Sequence, residues 1–539
     1  MNLPLTLTGQ IWHSYDFSTH VFFANHYERT WWSLWEPRWF GGFDVASYPP
    51  LTHQLTALLG WLIGIGNAVN VLTALAIVAF PIMIYRLGRH AFGRAVASRA
   101  AMLAVVTPSV LLAGYAFGQL PTLVAFDVGL WAGEAFGQFL RHGRRIDLLR
   151  LWLAAGVVVT AHHATFLFFF PPFLATLAGA ALLEVGPKML IVWRSVVAGI
   201  GLAVVVVVAI LPFWVWHATE YVVQVPIDHQ SRHNLLDDII AQDLFFWGEH
   251  GILIGGLFVG GPLLRRHLRR FGPWFALAVF LVIMGLGGTT PLPRLLFGSQ
   301  WAWLTYDRFS LWASVPLILL FAAAAGIGSR SLTWRGKMQG MAWWLTLGIL
   351  ALDSLVDAFV PALVQTEPRP IDPRPIVAFL EEGDHARWRY LTLGFGDQSG
   401  TLNAMTDAET LDGSYYTARR LPILTGSGIA QIDFSLLWDP KATVLREMLR
   451  SSASYRLRWV FTRDPLYVEI LRESGWHERQ ELRNGVGVWE TSVPIPPVQP
   501  VMARTSWLAV WWGIAPLAFL FGAIASQFFA VRRECRLPA

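Results

Sequence analysis

Between Trp12 and Trp35 the chain reads "WHSYDFSTHVFFANHYERTWWSLW", which sets an acid and a histidine, Asp16 and His20, four residues apart. On a helix, Asp16, His20 and Tyr27 fall within about 40° of one another with Phe23 alongside, while Glu28 projects about 120° away. A carboxylate and an imidazole on one face are groups that accept and hand on protons. The plainer alternative is that Asp16 caps or solvates an interfacial helix and His20 is simply packed. Trp31, Trp32, Trp35 and Trp39 suit the headgroup zone of a membrane, where an apolar ring with a polar N–H is stable. Glu28 and Glu36 read as solvated or paired with Arg29 and Arg38. "EPRWFGG" then turns the chain, and "SYPPL" opens a helix with proline in its first turn.

Further polar residues stand in apolar surroundings, where they are costly and suggest function. Asp127 and Glu134 share one helical face in "FDVGLWAGEAFG", and His162 and His163 sit in "TAHHATFL". Asp353 and Asp357 lie toward one end of their segment. Gly118 and Pro121 allow a broken or re-entrant entry near Gln119. Interhelical hydrogen bonding is the competing reading for Asp127, and satisfied bundle histidines for His162 and His163.

The elements that must position these residues are membrane helices. Of 539 residues, 54% are hydrophobic and only 14% charged, against about 25% charged in a soluble domain. Spans are expected near 66–86, 98–116, 120–140, 150–168, 170–186, 193–216, 250–264, 273–290, 308–328, 338–360 and 506–530. Residues 51–65 are apolar but short. The net charge of +5 comes from arginine clusters in short loops between spans. That pattern marks the cytoplasmic side and gives no reason to expect nucleic acid as a partner. Cys535 is the only cysteine, so no intrachain disulfide forms. Residues 1–11 lack the basic and apolar regions of a cleavable signal peptide.

The expected organisation is an amphipathic loop at 1–50 outside the cytoplasm, a multi-span domain at 51–360, an external α/β domain at 361–505, a final transmembrane helix at 506–530 and a cytoplasmic tail at 531–539. Proline-rich hinges, "VPALVQTEPRPIDPRP" and "SVPIPPVQP", bracket the α/β domain. Within it "RWRYLTLGF", "LRWVFT" and "GVGVWE" read as strands, and "RPIVAFLEEG" and "ATVLREMLRSS" as helices. The fold class is therefore a polytopic α-helical membrane protein with a small external α/β domain near the C-terminus, at home in the cell membrane as a multi-pass chain.

An acid in the first external loop, the "EPRWFGG" turn and the "YPPL" helix start resemble the GT-C superfamily of membrane glycosyltransferases. More narrowly, "YDFSTH", "EPRWFGGFDVASYPPL", "YAFGQLPTLVAF", "AHHATFL", "YDRFSLWASVPLILLFAAAAG" and "TLDGSYYTARRLPIL" resemble bacterial and archaeal membrane proteins labelled "6-pyruvoyl-tetrahydropterin synthase-related". That label carries no pterin chemistry: His13, His20 and His26 are not spaced as a zinc cage, and no metal ligand is assigned. The resemblance implies a membrane helix ahead of the loop, a position that Met1 already follows.

It also implies roles. Asp16 matches the loop acid that acts as general base on an acceptor or positions it, with a divalent cation, Mg or Mn, as an optional partner. His20 would hold Asp16 or contact the leaving phosphate. Arg308, beside Asp307 at the outer end of a span, would bind that phosphate; an Asp307–Arg308 interfacial anchor is the alternative, and Arg294 a weaker second candidate. Tyr48, His53, Asp127 and His162 complete the expected substrate-binding set. Tyr415, Tyr416, Arg419 and Arg420 would contact a glycan or acidic polymer, or serve folding alone. The implied function is inverting transfer of a sugar from a polyprenyl-phosphate-linked donor to a glycan or protein acceptor, with membrane lipid as surroundings. The alternative is a non-catalytic scaffold or lipid-carrier-binding protein of the same fold. A transporter finds no support, because no inverted repeat is visible.

Overall fold

The computed structural model describes residues 2–184, 187–255, 258, 264–328, 334–364, 368–499 and 506–534. Cys535 with the tail after it, Arg330, and residues 256, 257 and 259–263 of the expected span at 250–264 lie outside the described residues.

The chain enters through a short helix, Asn2–Leu7, and a turn at Gln10–His13, then forms α1 (Phe17–Thr30). A two-residue hairpin, β1 (Trp35–Glu36) with β2 (Phe43–Asp44), follows. Helix α2 (Leu51–Ile63) stops at Gly64, whose φ of 83° favours glycine, and α3 (Ile65–Phe92) begins at once. The short apolar stretch is thus its own helix, set off from the long one.

Next come α4 (Arg94–Val105) and α5 (Pro108–Ala116), bent by 46° at a break before Pro108. Proline lacks the N–H that would continue the helix, so the expected single span at 98–116 is split. Then follow α6 (Leu120–His142), α7 (Arg145–Ala161), α8 (Thr165–Glu184) and α9 (Lys188–Ala209). Past the short helix Leu211–Thr219, α10 (Leu268–Gly285), α11 (Asp307–Gly328) and α12 (Trp334–Val364) follow further along the chain. Among the described residues six helices are long and apolar enough to cross a membrane, or seven if α4 and α5 make one bent span. Helices α6, α7 and α10 are packed between these.

The sheet unit lies between α12 and the last helix. Helix α13 (Arg374–Glu381) leads to β3 (Arg389–Leu393); then come α14 (Ser399–Ala404), α15 (Thr443–Arg450), β4 (Leu457–Thr462), α16 (Pro465–Glu473), β5 (Trp476–Glu481), β6 (Gly487–Thr491) and α17 (Trp507–Glu534). The strand order is β3-β4-β6-β5, parallel at β3/β4 and antiparallel elsewhere.

The opening segment belongs to this sheet unit as much as to the bundle. Phe22, Phe23, Trp39, Phe40, Phe43 and Val45 share one buried core with residues of β3, β4 and α15. The Trp39 ring stacks on Phe22 at 3.6 Å, and its Nε1–H donates to Asn403 Oδ1 at 2.6 Å. The expected headgroup position for Trp39 is therefore corrected: the ring is fully buried, because the sheet unit offers it a dry core and a hydrogen-bond acceptor. Arg38 O accepts from Thr410 N–H at 2.8 Å, and Gly41 N–H donates to Thr410 O at 3.1 Å. At the other end, Trp31 Nε1–H donates to Gly513 O in α17 at 3.2 Å.

Candidate active site

The first turn of α1 and the α5–α6 junction are stitched together. Tyr15 N–H and Asp16 N–H each donate, at 3.1 Å, to the carbonyls of Ala116 and Phe117. Gly118 has φ of 72°, and a Cβ there would lie 2.5 Å from Ser14 Oγ. Only glycine takes this bend without strain. The bend aims Gly118 O at His20, whose Nε2–H donates to it at 2.8 Å. With the proton fixed on Nε2, His20 Nδ1 accepts, and it receives the Nε2–H of His53 at 3.0 Å. Burial pushes His20 down to about 4, against the opposing bond to Gly118, so the ring is neutral and its two nitrogens are occupied. His20 and His53 hold the first turn of α1 against α2.

Asp16 sits at the start of α1, half-buried, without capping the helix. Among the described residues no hydrogen-bond donor reaches its carboxylate. Burial pushes it up to about 7; Arg308 pulls down, while Asp397 and Asp307 push further up. Asp307 and Arg308 open α11, where Gln119 Nε2–H donates to Asp307 Oδ2 at 2.8 Å. Arg308 donates from Nη1 to Thr305 Oγ1, and its Nε is buried with no partner among the described residues. Asp397 comes from the sheet unit: α14 lies against α1, Ser18 Oγ and Thr401 Oγ1 being 3.0 Å apart. Gln431 Nε2–H donates to Asp397 Oδ1 at 2.8 Å.

The other expected residues divide. Tyr48 is within electrostatic reach of Asp16 and Arg308; it stacks on Phe23 at 4.8 Å and meets Tyr415 edge-on at 4.7 Å. His162, at the α7–α8 junction, is within reach of Arg308 and His20. Tyr416 is within electrostatic reach of Asp397 and Asp16. Asp127 stands apart. It is buried in α6, seven residues past Leu120 and so about 10 Å deeper along the axis, with no charged side chain in reach among the described residues. Arg294 is exposed. Tyr415 O–H donates to Ser47 O at 2.7 Å, the buried Arg419 donates to Gln224 Oε1 at 3.0 Å, and Arg420 pairs with Glu220 at 2.8 Å; these three join elements together.

Two groups near Asp16 or Arg308 escaped sequence reasoning, Asp397 and His229. His229 lies in the loop before α10 and is within electrostatic reach of Asp307 and Arg308. Neither stands in an apolar run, the signal that drew attention to the intramembrane residues. Among the described residues no three His, Cys, Asp or Glu groups converge as metal ligands.

No protein-family model and no curated protein matches the sequence. Solved structures do match by shape. ArnT from Cupriavidus metallidurans in the apo state aligns at a TM-score of 0.52 with 11% identity, over 90% of this chain and 97% of that one. The Archaeoglobus fulgidus oligosaccharyltransferase in the apo form aligns at 0.54 with 11% identity, over 92% and 75%. A mutant of the arabinofuranosyltransferase AftD from mycobacteria aligns at 0.55 with 13% identity, over 92% of this chain. The fold is that of the GT-C glycosyltransferases. Against AftD the chain spans 37% to 41% of the longer protein. In the oligosaccharyltransferase and ArnT, by contrast, it matches most of the length.

Proposed function

We propose that the protein is a membrane glycosyltransferase that moves a sugar from a polyprenyl-phosphate-linked donor to a glycan or protein hydroxyl on the non-cytoplasmic face, within the "6-pyruvoyl-tetrahydropterin synthase-related" group. The observation that carries this reading is Asp16. It is a carboxylate without a donor among the described residues, pushed up to about 7, within electrostatic reach of Arg308 and beside the contact of α1 with the sheet unit, in a fold shared with glycosyltransferases. A general base works best when its pKa lies near the operating pH. In the reaction the acceptor oxygen attacks the anomeric carbon as Asp16 takes its proton. The bond from that carbon to the phosphate oxygen breaks on the opposite side, its electron pair leaves with the phosphate, and configuration inverts. Arg308 neutralises the charge on the departing phosphate. Tyr48 and Tyr416 line the acceptor side, and His20 with His53 are positioning residues. Asp127 is too deep for either role and reads as a bundle residue.

The test uses the purified full chain with a lipid extract from its own host. Transfer of sugar from endogenous polyprenyl-phosphate sugars is compared between wild type and Asp16→Asn. The expected outcome is turnover by wild type and a loss of at least about a hundredfold in the variant, with folding and lipid binding retained. Equal lipid binding by both with transfer by neither would point to a carrier-binding scaffold.

A further inference from the structure

The arginine-rich end of the bundle holds a cavity that the transfer reaction leaves unused. Helix α11 rises about 27 Å from Arg308 to Gly326, close to the ~30 Å of a hydrocarbon core, so this cavity is remote from Asp16. Its volume is about 270 Å³, and Phe92, Val96, Arg99, His267, Arg270 and Phe271 line it together with Gly326 of α11. None of its described lining residues is acidic. The end of α3, the first turns of α4, the start of α10 and the end of α11 thus meet around a gap in the packing whose charged side chains are both guanidiniums.

The fold holds these side chains in place. Phe92 stacks on Phe271 with ring centroids 5.2 Å apart, which joins α3 to α10. Arg270 lies over the Phe92 ring at 5.6 Å, and its Nη2–H donates to Ala91 O at 3.0 Å. Its Nε is 3.5 Å from Glu184 Oε1, but Glu184 lines a separate small cleft and not this cavity. Arg99 is placed by a glycine: a Cβ on Gly326 would lie 2.9 Å from Arg99 Nη1, so a side chain there would push the guanidinium away from α11. His267 meets Phe271 edge-on at 6.3 Å and adds a ring N–H. Elsewhere at this end arginines close on carboxylates, as Arg86 does on Glu134 and Arg144 on Asp147, both at 2.7 Å. Arg99 and Arg270 instead border a space with no carboxylate in its described wall.

We propose that this cavity binds the phosphodiester headgroup of an anionic phospholipid from the leaflet at the arginine-rich end. The charge selects an anion, and guanidinium forks match phosphate oxygens. The wall selects a lipid: Phe92, Phe271 and Val96 offer apolar surface to a glycerol backbone and the first acyl carbons, which a hydrated free ion does not need. The position selects the same occupant, because the ends of membrane helices lie at headgroup depth, where basic pockets between helices hold anionic lipids. A headgroup seated there ties α4, α10 and α11 together. The inference does not depend on the transferase reading, since the cavity shares no residue with the candidate active site.

The experiment titrates lipid into the purified full chain in a neutral detergent and counts bound lipids by native mass spectrometry. The probes are dioleoylphosphatidylglycerol, dioleoylphosphatidylcholine and inorganic phosphate. Wild type is expected to bind its first phosphatidylglycerol at least about tenfold more tightly than phosphatidylcholine. Arg99→Gln and Arg270→Gln should each lose about tenfold for phosphatidylglycerol and leave phosphatidylcholine unchanged; each gives a reading if the other misfolds. Arg270→Lys, which keeps the charge without the fork, should recover part of the loss. The control is Arg265→Gln combined with Arg269→Gln, which removes charge from exposed positions beside the cavity but outside its wall. It should change the affinity by no more than about twofold. A loss in that control equal to the loss in the cavity variants would mean diffuse attraction to a basic surface and would overturn the proposal, as would equal binding of the two lipids. Inorganic phosphate displacing phosphatidylglycerol at equal concentration would overturn the lipid assignment, and displacement only at much higher concentration would support it.

Discussion

The opening segment contains two acid–histidine groupings, and they have opposite chemistry. In the second, Glu36 accepts from Arg38 Nε at 2.8 Å and Nη2 at 2.7 Å, from Arg38 N–H at 3.0 Å and from His26 Nδ1 at 2.9 Å. The other nitrogen of His26 donates to Ser33 O at 3.0 Å, and Arg38 Nη1 donates to Asn25 Oδ1 at 2.6 Å. Burial pushes Glu36 up, but the Arg38 charge and the hydrogen bonds of Arg38 and His26 outweigh it and hold the carboxylate below its usual range. In the first grouping Asp16 has no donor among the described residues and is pushed up to about 7. A closed network rigidifies; an open carboxylate is available to a ligand. The arginine-rich end of the bundle resembles the closed case, with Arg86–Glu134 at 2.7 Å and Asp147 between Arg144 at 2.7 Å and Arg150 at 3.2 Å.

The sharpest way to break that contrast is Arg38→Leu. It strands the buried Glu36 carboxylate, and removing one partner of a buried ion pair costs about 3–5 kcal/mol. The expected outcome is a large fall in melting temperature and in the yield of folded chain, with sugar transfer lost only in proportion to folded protein. An unchanged melting temperature would show that the closed network is not structural. Asp16→Asn should behave in the opposite sense, losing turnover and keeping the fold.

A smaller effect is expected at the hinge between the two groupings and the bundle. Gly118→Ala forces φ of 72° on a residue with a Cβ and presses that atom to 2.5 Å from Ser14 Oγ and 3.2 Å from Asp16 N. The backbone cost is about 1–3 kcal/mol, which the fold tolerates, but Asp16 and His20 both shift. Misplacement of about 1 Å can cost about a hundredfold in rate, so kcat should fall by that order with donor binding largely kept. Near-normal kcat would separate the bend from Asp16.

Much of this was legible in the sequence where the signal was local. Three strands were expected as "RWRYLTLGF", "LRWVFT" and "GVGVWE", and β3, β4 and β6 fall on them, because β-branched and aromatic residues fill a buried sheet. β5, "WHERQE", was not legible: an edge strand with five exposed residues in six carries no apolar alternation. The break at Pro108 was also missed, since the flanking apolar runs read through it. Asp16, His20, Tyr48, His53, His162 and Arg308 could be nominated from residue type, but their grouping could not. It depends on the turn at Gly118 and on which sheet-unit residues come down onto α1. Asp397 and His229 sit in polar loops where an acid or a histidine is unremarkable until the fold places it. For Trp39 the composition of the loop misled, because a tryptophan-rich segment suits a headgroup zone and a protein core equally well.

The finest distinction between the groupings is the response of their carboxylates to pH. Glu36 is held charged throughout the working range. Asp16 is protonated below about 7 and cannot accept a proton in that form. On the proposed role, kcat/KM for sugar transfer should fall tenfold per pH unit on the acid side, with an apparent pKa near 7. The sign for stability runs the other way. A carboxyl whose folded pKa is raised stabilises the fold at low pH and loses that contribution as pH rises through the folded value. Asp16→Asn removes the buried charge, so its melting temperature should exceed that of wild type at pH about 8, the gap narrowing as pH falls through about 7 and closing toward about 4. A rate profile flat through neutral pH, together with a gap that does not depend on pH, would mean that Asp16 is solvated and that the open grouping is not the base.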